Sequence, residues 1–97
     1  MADPRTGSML DWSTEEQYWR DNYAGRPYIG TNSEFDYWRP AYRYGYESAN
    51  TYPGRKWNEV ENDLRRGWDK FEHRGKTTWE QIKDAVRDGW ERVTGNH

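Results

Sequence analysis

A chain of 97 residues with 18% aromatic residues, no cysteine and a formal net charge of −2 is long enough for one small domain around a single core. This composition excludes disulfides and thiolate metal sites, and no apolar run is long enough to span a membrane. Because residues 1–10 also lack the pattern of a secretory signal, we expect a cytoplasmic protein.

The N-terminal residues predict a flexible lead-in over 1–12, followed by a single small helical domain over 13–97. Ser13 is a candidate N-cap, with Glu16 at the capping-box position of a short helix that runs toward Tyr23. Gly25 and Pro27 then predict the end of that helix and the start of a loop.

A second short helix is predicted further along the tyrosine-rich half. Ser33 is its candidate cap, with Asp36 three residues later. Pro40 disfavours helical geometry at Arg39, so we expect a new helix to begin at Pro40 and to run to about Ala49. An extended strand is the alternative here, because tyrosine favours strands.

Residues 57–93 contain a duplicated amphipathic helix, with the second copy offset by 22 residues. Apolar residues recur at intervals of three and four, which places them on one face of an α-helix. The core stripe is Trp57, Val60, Leu64, Trp68 and Phe71 in the first copy and Trp79, Ile82, Val86, Trp90 and Val93 in the second. The sequence predicts two helices, at about 57–73 and 78–93.

The residues that bound these two helices indicate an antiparallel hairpin. Pro53-Gly54 separates the pair from the preceding segment, and Gly75 and Gly95 are placed to end the two helices. Thr77 is a candidate cap for the second helix, with Glu80 completing a capping box. The predicted link between the helices, about 74–77, is too short for any arrangement except an αα-hairpin.

Gly67 and Gly89 occupy matching interior positions, each one residue before a tryptophan of the stripe. A glycine in a helix interior costs about 1 kcal/mol relative to alanine. We therefore predict that an indole or a neighbouring helix approaches closely at each glycine.

The predicted fold is all-α: a C-terminal antiparallel αα-hairpin covered by a Tyr/Trp-rich N-terminal half with short helices. Leu, Ile and Val total seven in the whole chain, whereas Trp, Tyr and Phe total seventeen. A core must therefore be built mainly from rings, each of which buries roughly 150–250 Å².

Three segments resemble a group of short, uncharacterised bacterial proteins: Tyr-Trp-Arg at 18–20, Arg-Pro-Tyr at 26–28 and Arg-Pro-Ala-Tyr-Arg-Tyr-Gly-Tyr-Glu at 39–47. The Trp-x-x-Val and Arg-x-Gly-Trp patterns of the helical pair extend the resemblance over most of the chain. The group provides no activity or ligand that could be transferred to individual residues. Its association with bacterial stress proteins implies a stress-related role.

No motif for catalysis or for metal binding is present in the sequence. The two histidines, His73 and His97, lack further ligands at suitable spacing, and the acidic run Glu59, Glu61 and Asp63 lacks the glycine of a calcium loop. A nucleophile elbow, a phosphate loop and a dinucleotide motif are also absent. We therefore expect neither an enzyme nor a cofactor.

Arginine alternates with tyrosine near the middle of the chain, and this is the most suggestive cluster for a ligand. The candidate contact residues are Arg39, Tyr42, Arg43, Tyr44 and Tyr46. Such rings can stack on bases while guanidinium groups meet phosphates, or they can hold sugars. Alternatively, the tyrosines pack on the hairpin and Arg43 pairs with a nearby acid.

The sequence favours a small, non-enzymatic bacterial protein that acts through protein contacts or self-association, and the resemblance implies a stress-related role. Two helices alone would bury their stripes only partly, so a homo-oligomer of two hairpins is a plausible arrangement. The alternative is a single-stranded nucleic-acid-binding protein that uses the Arg/Tyr cluster. A net negative charge disfavours that alternative, because affinity for a polyanion comes largely from positive charge.

Overall fold

The computed structural model describes residues 11–31, 34–71 and 77–95, which form four α-helices connected by short turns. The helices are α1 (Trp12–Asn22), α2 (Phe35–Thr51), α3 (Trp57–Trp68) and α4 (Trp79–Thr94). Two short 3₁₀ turns, Tyr23–Gly25 and Ile29–Thr31, lie between α1 and α2. The described residues contain no strand, so the predicted all-α class is confirmed and the extended alternative is wrong.

The helix caps differ from the predicted ones by one or two residues. Asp11, and not Ser13, caps α1: its carboxylate accepts hydrogen bonds from the backbone N–H of Thr14 at 2.9 Å and from the Ser13 hydroxyl at 3.1 Å. Thr78, and not Thr77, precedes α4, and its backbone N–H donates to Gln81 Oε1 at 2.8 Å.

A tertiary hydrogen bond explains why α4 is preceded by Thr78 and not by Thr77. The carbonyl oxygen of Thr77 accepts a hydrogen bond from the Trp68 indole at 3.1 Å, which holds Thr77 outside the helix. Gly95 ends α4 with φ 75°, as predicted. The predicted cap Ser33, the predicted stop Gly75 and most of the predicted 74–77 link lie outside the described residues.

Helix α3 ends at Trp68, earlier than the predicted end near residue 73. The N–H groups of Lys70 and Phe71 bond to the carbonyl groups three residues before them, which tightens the chain into a turn. Phe71 then packs against Tyr44 and Trp68, with ring centroids 4.9 Å and 5.5 Å apart. This aromatic contact takes Phe71 off the helix.

The predicted break at Pro40 is wrong, because α2 continues through it from Phe35 to Thr51. Proline removes one helical hydrogen bond, the one that residue 40 would donate to the carbonyl of Asp36. Asp36 lies on the exposed side of the helix, where water can satisfy that carbonyl. The turn before Pro40 also carries Phe35 and Trp38, both buried, and their burial favours a continuous helix.

The closest packing in the fold is between α2 and α4, at a crossing made of two glycines. A Cβ added to Gly89 would lie 2.6 Å from the carbonyl oxygen of Tyr42, and a Cβ added to Gly45 would overlap the carbonyl oxygen of Val86. The predicted close approach at Gly89 is therefore confirmed. At Gly67 the neighbour is neither an indole nor a helix backbone but the side chain of Tyr44, whose hydroxyl oxygen would lie 2.5 Å from an added Cβ.

The predicted stripe forms the centre of the core. All of its members are buried except Phe71 and Val93, which pack partly buried against the others. Trp57 joins the two copies, with its ring centroid 6.3 Å from that of Trp79 and 6.1 Å from that of Trp90. The tyrosine-rich half supplies more than a cover, because α2 itself is the main partner of α4.

Candidate functional site

The predicted contact residues of α2 do not form one exposed surface. Tyr42 is fully buried and stacks on Trp19, with ring centroids 4.3 Å apart and planes 2° from parallel. Tyr44 is half-buried, and its hydroxyl donates to the carbonyl oxygen of Leu64 at 2.7 Å. Burial raises the pKa of Tyr44 to about 12, so its hydroxyl stays a donor at neutral pH.

The other members of the predicted cluster are also held by contacts within the chain. Arg43 pairs with Glu47 at 2.8 Å, and the ring of Tyr46 lies 5.7 Å from that of Trp12. Arg39 pairs with Glu16 at 3.2 Å and with Asp36 at 2.6 Å. The alternative reading of the sequence, in which the tyrosines pack and Arg43 meets an acid, describes this arrangement.

A polar network that the sequence did not indicate connects the 3₁₀ region, which is the segment 23–31 with its two 3₁₀ turns, to α4. Arg26 donates to both oxygens of the Asp88 carboxylate, at 2.8 Å and 3.1 Å, and Tyr28 donates to the same carboxylate at 2.6 Å. Tyr42 lies 2.9 Å from the Tyr28 oxygen and donates to it, because the one proton of Tyr28 is already used. Burial raises the pKa of both Tyr28 and Tyr42, so both phenols stay neutral.

A groove of about 470 Å³ opens beside this network, between the 3₁₀ region, the first turn of α2 and the first turns of α4. Its lining residues are Pro27, Tyr28, Gly30, Tyr37, Glu80, Gln81 and Asp84. The rings of Tyr28 and Tyr37 lie 5.0 Å and 4.8 Å from the ring of Trp38, which is buried. Both tyrosines therefore pack against the same buried indole.

The opposite wall of the groove carries two carboxylates from one face of α4. Glu80 has a side chain 74% exposed and pairs with Lys83 at 3.3 Å. Asp84 is exposed and makes no ion pair or hydrogen bond with any residue of the described part of the chain. Glu80, Asp84 and Asp88 follow one another at intervals of four, so they form a row along α4.

A second hollow, of about 240 Å³, lies between α1 and the end of α4, lined in part by Tyr18, Arg26, Asp88 and Arg92. Its charges are paired. The carboxylate of Glu15, fully buried beside it, lies 3.0 Å from Nε of Arg92. Burial raises the pKa of Glu15, and Arg92 opposes that rise. Because these charged groups are already paired within the chain, few of them are available to bind a ligand in the hollow.

The described residues contain no group of three or more potential metal ligands. Glu59 and Asp63 are exposed on α3, as expected of a solvated helix face, and Glu61 is partly exposed. His73 and His97 lie outside the described residues. Every helix of the described part is too short or too polar to cross a bilayer.

No protein-family model matches the chain, and neither a curated protein nor a solved structure shows significant similarity to it.

The groove brings together residues that the sequence places about 50 apart. Its acidic side could have been found from the spacing of Glu80, Asp84 and Asp88. Its aromatic side could not, because Tyr28 follows a loop whose path depends on the Arg26–Asp88 contact.

Proposed function

We propose that this chain is a non-enzymatic binding protein and that it contacts a protein partner through the groove between Tyr28, Tyr37 and the start of α4. The observation that carries the proposal is a groove lined by two packed tyrosine rings and by an exposed carboxylate, Asp84, which has no ion pair within the described part of the chain. Tyrosine is enriched in protein interfaces because a large apolar ring and a hydroxyl are presented at low entropic cost.

The buried polar groups support a binding role over a catalytic one. A general acid or base must reach a reacting atom. Glu15 is instead held by Arg92, and the Asp88 carboxylate accepts from Arg26 and Tyr28. These pairs stabilise the positions of α1 and of the 3₁₀ region against α4.

A separate partner is favoured over a second copy of the chain. Two helices alone would leave their stripes partly uncovered, and self-association would then cover them. Helix α2 covers α4 within the chain, and Trp68, Ile82, Val86 and Trp90 are buried without a second hairpin. A role in stress responses depends on the sequence resemblance alone and stays a prediction.

Site-specific photocrosslinking tests the proposal. A benzophenone amino acid replaces Tyr37 in the groove, and a matched variant carries it at Asn62, which is exposed on α3 and does not line the groove. In cells of the native source, we expect a discrete protein adduct from position 37 that excess unlabelled wild-type protein competes away in the extract.

The same experiment can contradict the proposal in two ways. Equal adduct patterns at positions 37 and 62 would show that the groove has no selective partner, and the absence of any adduct would remove the protein-contact role. An adduct at twice the mass of the chain, 11.8 kDa, would identify a second copy as the occupant.

A further inference from the structure

Building on the proposed function, we infer that the groove receives an arginine side chain from an extended segment of the partner, with the guanidinium group between the tyrosine rings and the Asp84 carboxylate. The site is defined by Tyr28, Tyr37, Glu80 and Asp84.

The chain already holds one arginine on a carboxylate of α4, one helical turn away. Arg26 forms a two-point contact with Asp88 at 2.8 Å and 3.1 Å, and the same carboxylate accepts the Tyr28 hydroxyl at 2.6 Å. Residues four apart on an α-helix lie about 6 Å apart along its axis. Asp84 therefore presents a second carboxylate one turn before Asp88, and it lines the groove together with Tyr28.

The negative charges that face the groove favour a cationic ligand. Glu80, Asp84 and Asp88 lie at intervals of four along α4, and like charges at that spacing destabilise a helix. Arg26 neutralises Asp88 and Lys83 pairs with Glu80. Asp84, between them, has no cation among the described residues. A positive group from the partner would complete the row.

The aromatic walls favour guanidinium over ammonium. A planar guanidinium can stack on a ring and donate two parallel hydrogen bonds to a carboxylate, which an ammonium group cannot. The chain uses such stacking elsewhere: the guanidinium carbon of Arg92 lies 3.4 Å from the ring centroid of Tyr18, and that of Arg20 lies 4.9 Å from the ring of Phe35. Tyr37 offers a partly exposed ring in the same setting.

The size of the groove fits an arginine together with its neighbouring backbone. Its volume of about 470 Å³ lies in the range of pockets that take small ligands, about 300–1,000 Å³, and exceeds what one side chain needs. Pro27 and Gly30 also line the groove, and both are exposed. An extended segment could cross them while its arginine enters between the tyrosines.

The test uses two acetylated and amidated pentapeptides, Gly-Arg-Gly-Arg-Gly and the same sequence with citrulline in place of arginine. Citrulline has the shape of arginine without its charge. The full-length, ¹⁵N-labelled protein is titrated with each peptide at low salt, and amide shifts are followed by NMR. We expect saturable shifts near Tyr28, Tyr37 and Asp84 with the arginine peptide and at least about threefold weaker binding of the citrulline peptide.

Two variants separate the groove from general charge attraction. Asp84→Asn removes an exposed carboxylate from the groove, and Glu61→Gln removes the same charge from α3, at a position that is not part of the groove lining. We expect Asp84→Asn to weaken the arginine peptide by about threefold or more and Glu61→Gln to leave it unchanged. Equal effects of the two variants, equal binding of the two peptides, or no shifts in the groove at millimolar peptide would each overturn the inference.

The peptide titration and the crosslinking experiment fail independently. If an adduct forms selectively at position 37 while the arginine peptide does not bind, the protein contact stands and its occupant is not an arginine. If the peptide binds in the groove but no protein adduct forms in cells, the chemistry of the groove stands and the proposed function does not.

Discussion

Gly45 has no room for even one methyl group, because an added Cβ would overlap the carbonyl oxygen of Val86 and lie 2.8 Å from the amide nitrogen of Trp90. Both obstacles are backbone atoms of α4, which cannot turn away as a side chain can. The two helices cross here at a distance that only glycine permits, and the buried rings around the crossing depend on that distance.

We predict that Gly45→Ala and Gly89→Ala each lower the free energy of unfolding by about 2 kcal/mol or more, because overpacking outweighs the gain of about 1 kcal/mol in helix propensity. Gly67→Ala should cost less, since its obstacle is the hydroxyl end of a side chain, Tyr44. Urea unfolding followed by tryptophan fluorescence measures all three. Gly25→Ala, where nothing lies within 4 Å of an added Cβ, is the control. Equal stability of Gly45→Ala and Gly25→Ala would contradict the close crossing.

The same contacts predict that Gly67→Leu and Gly89→Leu destabilise the fold.

The buried carboxylate of Glu15 makes stability depend on pH. Burial raises its pKa in the folded state, and Arg92 only partly opposes this. The folded state therefore binds the Glu15 proton more tightly than the unfolded chain does. The contribution of Glu15 is fully present below the ordinary pKa of about 4.5 and is lost as pH rises through the folded-state value.

We expect Glu15→Gln, which cannot ionise, to gain stability relative to wild type as pH rises from about 4 toward 7. Thermal unfolding of both proteins across that range gives the difference in midpoint directly, and taking the difference cancels the other carboxylates. Glu16→Gln, on the same helix but partly exposed and paired with Arg20 and Arg39, is the matched control and should not gain stability in this way, because it loses two ion pairs. A difference that stays constant with pH, or that moves in favour of wild type, would contradict the account.

At the scale of the elements, periodicity predicted α3 and α4 well because their stripes repeat five apolar residues at helical spacing. Their caps were shifted by a residue where a tertiary contact competes with the local motif, as the Trp68–Thr77 hydrogen bond does at the start of α4. Local backbone geometry alone predicts a break of α2 at Pro40. It takes no account of the burial of Phe35 and Trp38, which favours a continuous helix. Gly45 and the groove were missed, since both depend on which helices meet.

The proline of α2 predicts an element-scale effect. Pro40→Ala restores a helical donor, and we expect it to raise the free energy of unfolding by about 2 kcal/mol, from a gain of about 3 in helix formation less up to about 1 for the freer unfolded chain. Pro53→Ala provides the contrast. Tyr52 accepts a hydrogen bond from Arg55 across Pro53 and Gly54, whose φ is 80°, and proline suits that turn. We expect Pro53→Ala to lose about 0.5–1 kcal/mol. A loss of stability in Pro40→Ala would show that the proline ring itself packs favourably.

At the scale of the whole molecule, the duplicated hairpin is not an independent unit. Trp90 is fully buried, and the turn of α4 around it packs against Gly45 and Tyr42 of α2. Tyr44 similarly connects α2 to α3 through Leu64. Helix α2 therefore allows a chain with few aliphatic residues to close a core of rings.

This arrangement predicts different behaviour for the whole chain and for its C-terminal half. A fragment of residues 53–97 would expose the faces of Val86, Gly89 and Trp90 that α2 covers, so we expect it to self-associate or to lose its fixed aromatic packing. The full chain covers those faces and should sediment as a monomer of 11.8 kDa. Sedimentation at several concentrations gives the association state, and near-ultraviolet circular dichroism reports whether the indoles are held in one environment. A monomeric fragment with the near-ultraviolet spectrum and cooperative unfolding of a folded protein would show that α3 and α4 close their own core, and α2 would then be a cover.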